Sequence, residues 1–142
     1  MRLDDHPILG PVLRLGLALL LVLPLGWESE RSSRSLGLRT YALLSVSVCG
    51  LLLLAQTTAG GPVEQADAFY GVLLGMGFVG SGAVIQSPEK ARGLSKSASL
   101  WVTGAVGAGA AYGDAPIAAA VSLMTVVALW VPALARPRKE TS

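Results

Sequence analysis

Two carboxylates two residues apart, Glu28 and Glu30, are the residues whose type and spacing best suit a metal ion. Carboxylate oxygens are the ligands that Mg²⁺ prefers, but Mg²⁺ keeps several waters and needs few protein ligands, so the pair alone does not identify a site. Arg31, Arg34 and Arg39 follow closely, and such a mixed-charge stretch is typical of a solvated loop that neutralises itself. We therefore keep Glu28 and Glu30 as metal candidates and predict no resident metal or other cofactor.

The run Gly75-Met-Gly77-Phe-Val-Gly80 matches the pattern G-x-G-x-x-G. A dinucleotide fingerprint also needs a preceding strand, an amphipathic helix after it, and an acidic residue about 20 positions further on that binds the ribose. Here the motif lies in an uncharged apolar run, 68–86, and a second uncharged run, 97–113, follows closely. This context favours helix packing over nucleotide binding.

The residue types that carry most other chemistry are scarce. His6 is the only histidine and Cys49 the only cysteine, so a histidine or cysteine metal site and an internal disulfide lack the residues they need. No serine, cysteine or histidine has the sequence partners of a nucleophilic triad. The sequence therefore predicts that the protein is not an enzyme.

The composition indicates an integral membrane protein. Hydrophobic residues make up 52% of the 142 residues and charged residues 14%, against the roughly 25% charged that is usual in soluble domains. The mean hydropathy is +0.59 and the isoelectric point about 9.0. The basic residues lie in short clusters between apolar runs rather than on one face, which is typical of membrane topology and excludes nucleic acid as the expected partner.

Five apolar segments predict an all-α bundle of five transmembrane helices in a single membrane domain, 1–142. Each segment approaches the roughly 17–25 residues that cross a bilayer core, and none alternates with the period of a strand, so we expect no β-strands in them. The fourth is the shortest and the richest in small residues. The segments cover 8–26, 40–56, 68–86, 97–112 and 116–134, followed by a short tail, 135–142.

The loops between these segments predict the orientation. Nine of the 11 basic residues fall in loops 27–39 and 87–96 and in the tail, whereas loop 57–67 carries only Glu64 and Asp67 as charges. By the positive-inside rule, the basic side is cytoplasmic, so the N-terminus lies outside and the C-terminus inside. The start of the chain is acidic and lacks a good cleavage site, so we expect the first segment to remain as an uncleaved span.

Arg14 is the one basic residue placed well inside a predicted span. A buried arginine is costly in a membrane and usually has a partner. Asp67 begins the third span on the same predicted side, so we predict that Arg14 and Asp67 pair. The alternative is that Arg14 extends its guanidinium outward to the interface.

Small residues follow helical spacing in the third and fourth segments and predict close helix packing. In the third, Gly71 and Gly75 form G-x-x-x-G, Gly77 and Ser81 are four apart on another face, and Gly82 follows. In the fourth, Gly104, Gly107, Ala108 and Ala111 line one stripe. About ten residues join the two segments, so we expect an antiparallel hairpin with small residues facing each other.

Taken together, the motifs resemble the membrane domain of the MgtC/SapB family over about residues 8–112. The stretch Gly26-Trp-Glu-Ser-Glu30 is similar to the family's G-x-E-R-E, and Gly75 to Gly82 is similar to its G-I-G-F-L-G-A-G. Ser29 stands where the family has arginine, and Asp67 falls where it typically has arginine. The other matching positions are Gly37, Leu38, Arg39 and Thr40 (G-L-R-T) and Gly93, Leu94, Ser99, Leu100 and Trp101 (from G-L-T-T-A-A-S-L-W).

The resemblance implies a non-enzymatic protein of the bacterial inner membrane, linked to adaptation to low magnesium and, in pathogens, to virulence. It favours a protein that modulates a membrane partner, and the alternative is a transporter or channel for Mg²⁺ or another small solute. A homo-oligomer that uses the G-x-x-x-G face is a further expectation. We also expect the chain to carry only the membrane domain, without the soluble C-terminal domain found in some relatives.

Overall fold

The computed structural model describes residues 8–32, 37–87, 90–92 and 94–135. Five helices contain most of these residues, and a two-stranded antiparallel hairpin lies between the third and fourth helices. The elements are α1 (Leu9–Ser32), α2 (Leu38–Thr58), α3 (Pro62–Gly82), β1 (Ile85–Ser87), β2 (Lys90–Arg92), α4 (Leu94–Ala111) and α5 (Ala115–Ala135).

Consecutive helices run in opposite directions, which gives the bundle two chemically different ends. In the sequence, nine of the 11 basic residues belong to the end at which α1, α3 and α5 finish and α2 and α4 start; we call it the basic end. In the sequence, five of the nine acidic residues belong to the opposite end, which we call the acidic end.

Helix α4 occupies the centre of the bundle and packs against all four other helices. Helices α1, α2 and α5 surround it, and α3 lies outside this group, in contact with α4 and α2. The buried residues form two clusters along α4. One centres on Cys49, Leu52 and Ala110, and the other on Val22, Tyr41 and Leu100.

Small side chains line much of the interior, and many large apolar side chains lie on the outside. Ala18, Ala110 and Ala111 are fully buried, whereas Phe78 is 82% exposed and Leu43 68% exposed. A soluble protein hides most of its large apolar side chains, but a helix bundle in lipid gains from close backbone approach inside and apolar contact outside. This distribution explains why so many glycines and alanines lie within long apolar helices.

Two of the described helices are long and apolar enough to cross a bilayer by length and composition. They are α1, over Leu9–Glu30, and α2, over Leu38–Thr58, and α5 has a shorter apolar stretch, Ala115–Trp130. The predicted helical bundle is confirmed. The number of crossings and their orientation stay predictions.

The third predicted segment ends earlier than expected and leads into strands that the sequence reading did not anticipate. We predicted a helical span to residue 86, but α3 ends at Gly82, and Ile85–Ser87 pairs with Lys90–Arg92 instead. Gly80 and Gly82 weaken the last turn, because each glycine costs about 1 kcal/mol relative to alanine inside a helix. The hydroxyl of Ser81 donates back to the carbonyl of Phe78 and satisfies an acceptor in that turn.

The turn between α4 and α5 is tight because Gly113 adopts a left-handed conformation, with φ of 76°. The amide of Asp114 donates to the carbonyl of Gly109, and the amide of Gly113 donates to that of Ala110, which is the Schellman arrangement. Asp114 then starts α5 with its carboxylate near the amide of Ile117, 3.5 Å away. This turn leaves the carbonyl of Ala111 for partners from other helices.

Candidate functional site

Two side chains from different helices converge on the carbonyl oxygen of Ala111 at the acidic end. The guanidinium of Arg14 in α1 donates from Nη1 at 2.8 Å, and the amide of Gln56 in α2 donates from Nε2 at 3.0 Å. The last carbonyls of a helix have no partner within it, and a cation there also opposes the negative end of the helix dipole. Arg14 and Gln56 therefore cap α4 and join it to α1 and α2.

The position of Asp67 bears on the predicted pair with Arg14. Asp67 is exposed in the first turns of α3, and α3 packs against α2 and α4. Arg14 is half-buried in α1, and its guanidinium also lies over Gly113, where an added Cβ would come within 3.4 Å of Nη2. The pair with Asp67 stays a prediction, while the contact of Arg14 with α4 is a finding.

A cluster of three hydroxyls joins α1, α2 and α4 near the basic end. Ser29 donates to the hydroxyl of Tyr41 at 2.9 Å, and that hydroxyl is hydrogen-bonded to Ser99 Oγ at 2.6 Å. Tyr41 is fully buried, and both serines are buried as well. A buried hydroxyl without a partner would destabilise the fold, so this hydroxyl cluster fixes the relative positions of the three helices.

Glu28, one of the two metal candidates, has a partner from α5. Its Oε2 accepts a hydrogen bond from the indole Nε1 of Trp130 at 2.9 Å. Glu28 is half-buried and Glu30 is exposed, two residues further along α1. Among the described residues, no group of three or more histidine, cysteine, aspartate or glutamate side chains is arranged to hold a metal ion.

Polar side chains midway along the bundle bind backbone carbonyls of neighbouring helices. Ser45 in α2 donates to the carbonyl of Ala18, and Ser122 in α5 donates to that of Leu21. Both serines are buried. Hydrogen bonds of this kind hold transmembrane helices together where apolar packing alone gives little specificity.

Trp101 of α4 lies over the glycines of α3 that spell the nucleotide-like motif. A Cβ added at Gly80 would come within 3.1 Å of Ser97 Oγ and 3.4 Å of the Trp101 indole, and one at Gly77 would lie 3.9 Å from that indole. Gly80 therefore makes room for Trp101 and Ser97, and Gly77 lies in ordinary contact with the indole. This part of the glycine-rich run thus belongs to the interface between α3 and α4.

The expected contact of small residues with small residues between α3 and α4 is present where Gly80 faces Ser97, but the glycines of α4 meet other partners. A Cβ at Gly104 would lie 2.8 Å from the methyl group of Met76, so this glycine accommodates a large side chain of α3. A Cβ at Gly107 would overlap the carbonyl oxygen of Ser45, so this glycine faces the backbone of α2 instead. The stripe of small residues on α4, which includes the buried Ala108, therefore faces both α3 and α2. It can do so because α4 lies at the centre of the bundle.

Gly71 and Gly75 line an open apolar groove between α2 and α3. A Cβ at either position would meet no atom within 4 Å, and the same holds for Gly82, whereas Ser81 is exposed. The groove has a volume of about 410 Å³, and Leu44, Val48 and Leu51 form its α2 side. The G-x-x-x-G pair therefore packs against no helix within the described part of the chain, and its role between chains stays a prediction.

The family-motif residues lie mainly at the basic end, where they start helices. Gly37 precedes α2 in an extended conformation, Arg39 is exposed in the first turn, and Leu38 and Thr40 are half-buried. In α4, Leu94 is exposed and Leu100 is buried. Gly93 lies outside the described residues.

Sequence reasoning missed Tyr41, Gln56, Ser122 and Trp130 as members of these contacts. A usable signal existed for the first three, since each is a polar side chain within or at the edge of an apolar run. Ser29 was noted only as a departure from a motif, although it contributes a hydroxyl to the buried cluster. Which helix each polar group would meet depends on the packing, and the spacing along one helix does not contain that information.

Comparison with known proteins agrees with the family resemblance of the motifs. The sequence model of a family described as the MgtC family matches residues 15–136. Protein MgtC of Salmonella typhimurium is 29% identical over 127 residues, which are 89% of this chain and 54% of that protein. Protein SapB of Bacillus subtilis is 31% identical over 114 residues, which are 72% of this chain and 47% of that protein.

Protein SrpB of Synechococcus elongatus is also 31% identical over 114 residues, which are 70% of this chain and 62% of that protein. The chain thus spans about half the length of the curated MgtC and SapB relatives it matches. No solved structure matches it.

Proposed function

Because the chain belongs to the MgtC family, we propose that it is a multi-pass protein of the bacterial inner membrane that supports adaptation to low magnesium, or virulence, by modulating a membrane partner. It acts without catalysing a reaction. The shared family and the apolar helices support the membrane placement, and the nine basic residues of the basic end support a cytoplasmic position for that end.

The observation that best supports modulation over transport is the use of the interior polar groups. Arg14 and Gln56 share the carbonyl of Ala111, and Tyr41 joins two serines, so these groups hold helices together. Transport paths usually carry ionisable groups and interrupted helices at mid-membrane. Arg14 also places a positive charge among α1, α2 and α4 at the acidic end, where it would repel an entering cation.

Growth of a deletion strain tests the proposed role in magnesium adaptation. The bacterium lacking this gene should grow like the parent at ample Mg²⁺ and more slowly at limiting Mg²⁺, and the gene supplied from a plasmid should restore growth. A growth defect of equal size at both Mg²⁺ concentrations would show that the chain has no specific role in adaptation to low magnesium.

Recovery of a partner tests the proposed mode of action. The tagged full chain, isolated in mild detergent from cells grown at limiting Mg²⁺, should carry a second membrane protein at a fixed ratio. A variant with Gln56→Ala, which changes the acidic end of the bundle, serves to ask whether capture depends on that end. Recovery of the tagged chain alone under these conditions would argue against modulation of a partner.

A homo-oligomer through the face of α3 that carries Gly71 and Gly75 is a separate proposal. Both glycines are exposed, and small residues let two helix backbones approach closely in lipid. Light scattering of the purified protein in detergent measures its oligomeric state. A dimer that becomes a monomer on Gly71→Leu would support this interface, and a monomeric parent protein would rule it out.

A further inference from the structure

The apolar groove between α2 and α3 contains a single polar side chain among the described residues that line it, that of Ser47. Ser47 lies near the middle of α2, and its side chain is exposed. Its hydroxyl makes no hydrogen bond within the described part of the chain. The hydrocarbon of a bilayer holds no water, so an unpaired hydroxyl there costs free energy. A molecule that covers the groove and offers an acceptor would satisfy this hydroxyl.

Two other serines in the bundle show which acceptor a serine in the middle of a helix takes here. Ser45 in α2 donates to the carbonyl oxygen of Ala18 in α1 at 3.1 Å. Ser122 in α5 donates to the carbonyl oxygen of Leu21 in α1 at 2.6 Å. Ser45 and Ser47 are two residues apart, or about 200° around the helix, and so face opposite sides. By the same chemistry, Ser47 suits a backbone carbonyl of a further helix, packed against the groove.

The α3 side of the groove leaves room for such a helix to approach closely. Gly71 and Gly75 are exposed, and a Cβ added at either position would meet no atom within 4 Å. Close approach of two backbones is what allows a short serine side chain to reach a carbonyl of the next helix. A lipid acyl chain offers no acceptor at this depth, because the ester groups of lipids lie outside the hydrocarbon core. A helix therefore suits the groove better than lipid.

Helix α3 is the element of this chain that is most available for such a contact. It lies outside the group formed by α1, α2, α4 and α5, and it buries only Met76 and Gly80 within its own chain. Copies of one chain enter a bilayer in the same orientation, so a two-fold axis along the membrane normal brings α3 of each copy to the groove of the other at the same depth. Such a contact is self-complementary, as two-fold interfaces must be.

We propose that α3 of a second copy of this chain occupies the groove between α2 and α3, and that one of its backbone carbonyls accepts a hydrogen bond from Ser47. The two copies then exchange the same bond twice, with the glycines of both α3 helices at the crossing. The inference rests on the membrane placement and on the homo-oligomer proposed above. It adds α2 to the interface and gives Ser47 the role of a donor between chains.

Cross-linking between two different single-cysteine chains tests this arrangement. In a Cys49→Ala background, one chain carries Ser47→Cys and the other Gly75→Cys, with tags of different size, and both are reconstituted in the same vesicles. A disulfide requires two Cβ atoms about 3.5–4.5 Å apart, so an oxidant should join this pair about fivefold more than a pair of Gly75→Cys with Leu123→Cys. Leu123 is the matched control, because it is 61% exposed on α5 and does not line the groove.

The affinity between copies measures the contribution of the hydroxyl. Energy transfer between donor and acceptor fluorophores at the C-terminus, over a range of protein-to-lipid ratios, gives the dissociation constant in vesicles. Ser47→Ala should raise it about eightfold, because the pair loses two hydrogen bonds of about 0.6 kcal/mol each. Thr57→Ala should leave it unchanged, since this exposed hydroxyl of α2 donates to the carbonyl of Leu54 in its own helix. Circular dichroism shows whether each variant keeps the parent's helical content.

Three results would overturn the inference. The first is equal cross-linking of the Ser47→Cys and Leu123→Cys chains to the Gly75→Cys chain. The second is a dissociation constant that Ser47→Ala and Thr57→Ala change equally, which would remove the hydroxyl from the interface but leave the homo-oligomer in place. The third is a monomeric parent protein, which would remove the homo-oligomer as well and leave lipid or a different protein as the occupant of the groove. The growth experiment has no bearing on these results.

Discussion

Arg14 Nη1 donates to the carbonyl oxygen of Ala111 across 2.8 Å, and this bond ties the first helix of the chain to the end of the fourth. The Schellman turn at Gly113 satisfies the carbonyls of Gly109 and Ala110 but not that of Ala111. A buried carbonyl in a membrane cannot turn to water, so it needs a donor from a neighbouring helix. Arg14 and Gln56 supply two such donors, and together they join α1, α2 and α4 at the acidic end.

Replacing Arg14 with alanine should destabilise the bundle by about 1–3 kcal/mol, because a hydrogen bond from a charged donor is lost and the favourable charge at the helix end disappears. Gln56→Ala should cost less, and the two losses should not add, because both donors share one acceptor. The free energy of unfolding, measured by denaturation in detergent, compares Arg14→Ala, Gln56→Ala and the double variant.

A double-mutant cycle with Asp67→Asn decides whether the sequence-predicted pair also exists. The predicted pair requires a coupling between Arg14 and Asp67 of about 0.5 kcal/mol or more, because Asp67 is exposed and exposed ion pairs contribute little beyond that. A coupling that does not differ from zero would contradict the pair and favour the alternative, in which Arg14 extends its guanidinium to the interface.

Removing one hydroxyl from the hydroxyl cluster should lower the free energy of unfolding. Tyr41→Phe keeps the ring in the core but deletes the bonds to Ser29 and Ser99, and hydrogen bonds between transmembrane helices are worth about 0.6–2 kcal/mol. We expect a loss in that range by detergent denaturation. Tyr70→Phe is the matched control, since Tyr70 is 62% exposed on α3 and should tolerate the change. Equal effects of the two substitutions would show that the cluster contributes nothing specific.

Alanine substitutions at the glycines of the packing motifs should affect stability in two different ways, depending on what each glycine faces. Gly107→Ala forces a methyl group onto the backbone of α2 at Ser45, and overpacking of this kind typically costs 1–3 kcal/mol. Gly71→Ala meets no atom within 4 Å and gains helix propensity, so it should leave stability unchanged or slightly raised. Thermal unfolding of the two variants in the same detergent compares them directly. A larger loss at Gly71 than at Gly107 would contradict the assignment of these two faces.

Much of the bundle could be predicted from the sequence, because hydrophobic length and small-residue spacing are local properties. The helices around Cys49 and Met76 follow from apolar runs, and the tight turn follows from Gly113. The partners of Arg14 and Gly107 could not be predicted, because they depend on the central position of α4. The β1–β2 hairpin was missed because its strands are only three residues long and β1 begins inside the apolar run 68–86.

The basic end should face the cytoplasm, and cysteine labelling can test this orientation. The chain has a single cysteine, Cys49, which is buried, so Cys49→Ala provides a background without thiols. In that background, Thr58→Cys at the exposed C-terminal end of α2 should react with a membrane-impermeant maleimide in spheroplasts. Ser35→Cys, between α1 and α2 in the sequence, should react only after lysis. The opposite pattern would invert the proposed topology.

Magnesium flux through the reconstituted protein tests the central claim. The claim is that the chain modulates a membrane partner and does not itself transport Mg²⁺. The full chain is placed in liposomes that contain a magnesium-sensitive dye, with an ionophore added at the end to establish the maximum signal. We expect the Mg²⁺ entry rate to equal that of protein-free liposomes, for the parent protein and for Arg14→Gln alike. Saturable entry that is lost on Glu28→Gln or Asp67→Asn would contradict the claim and establish the chain as a transporter.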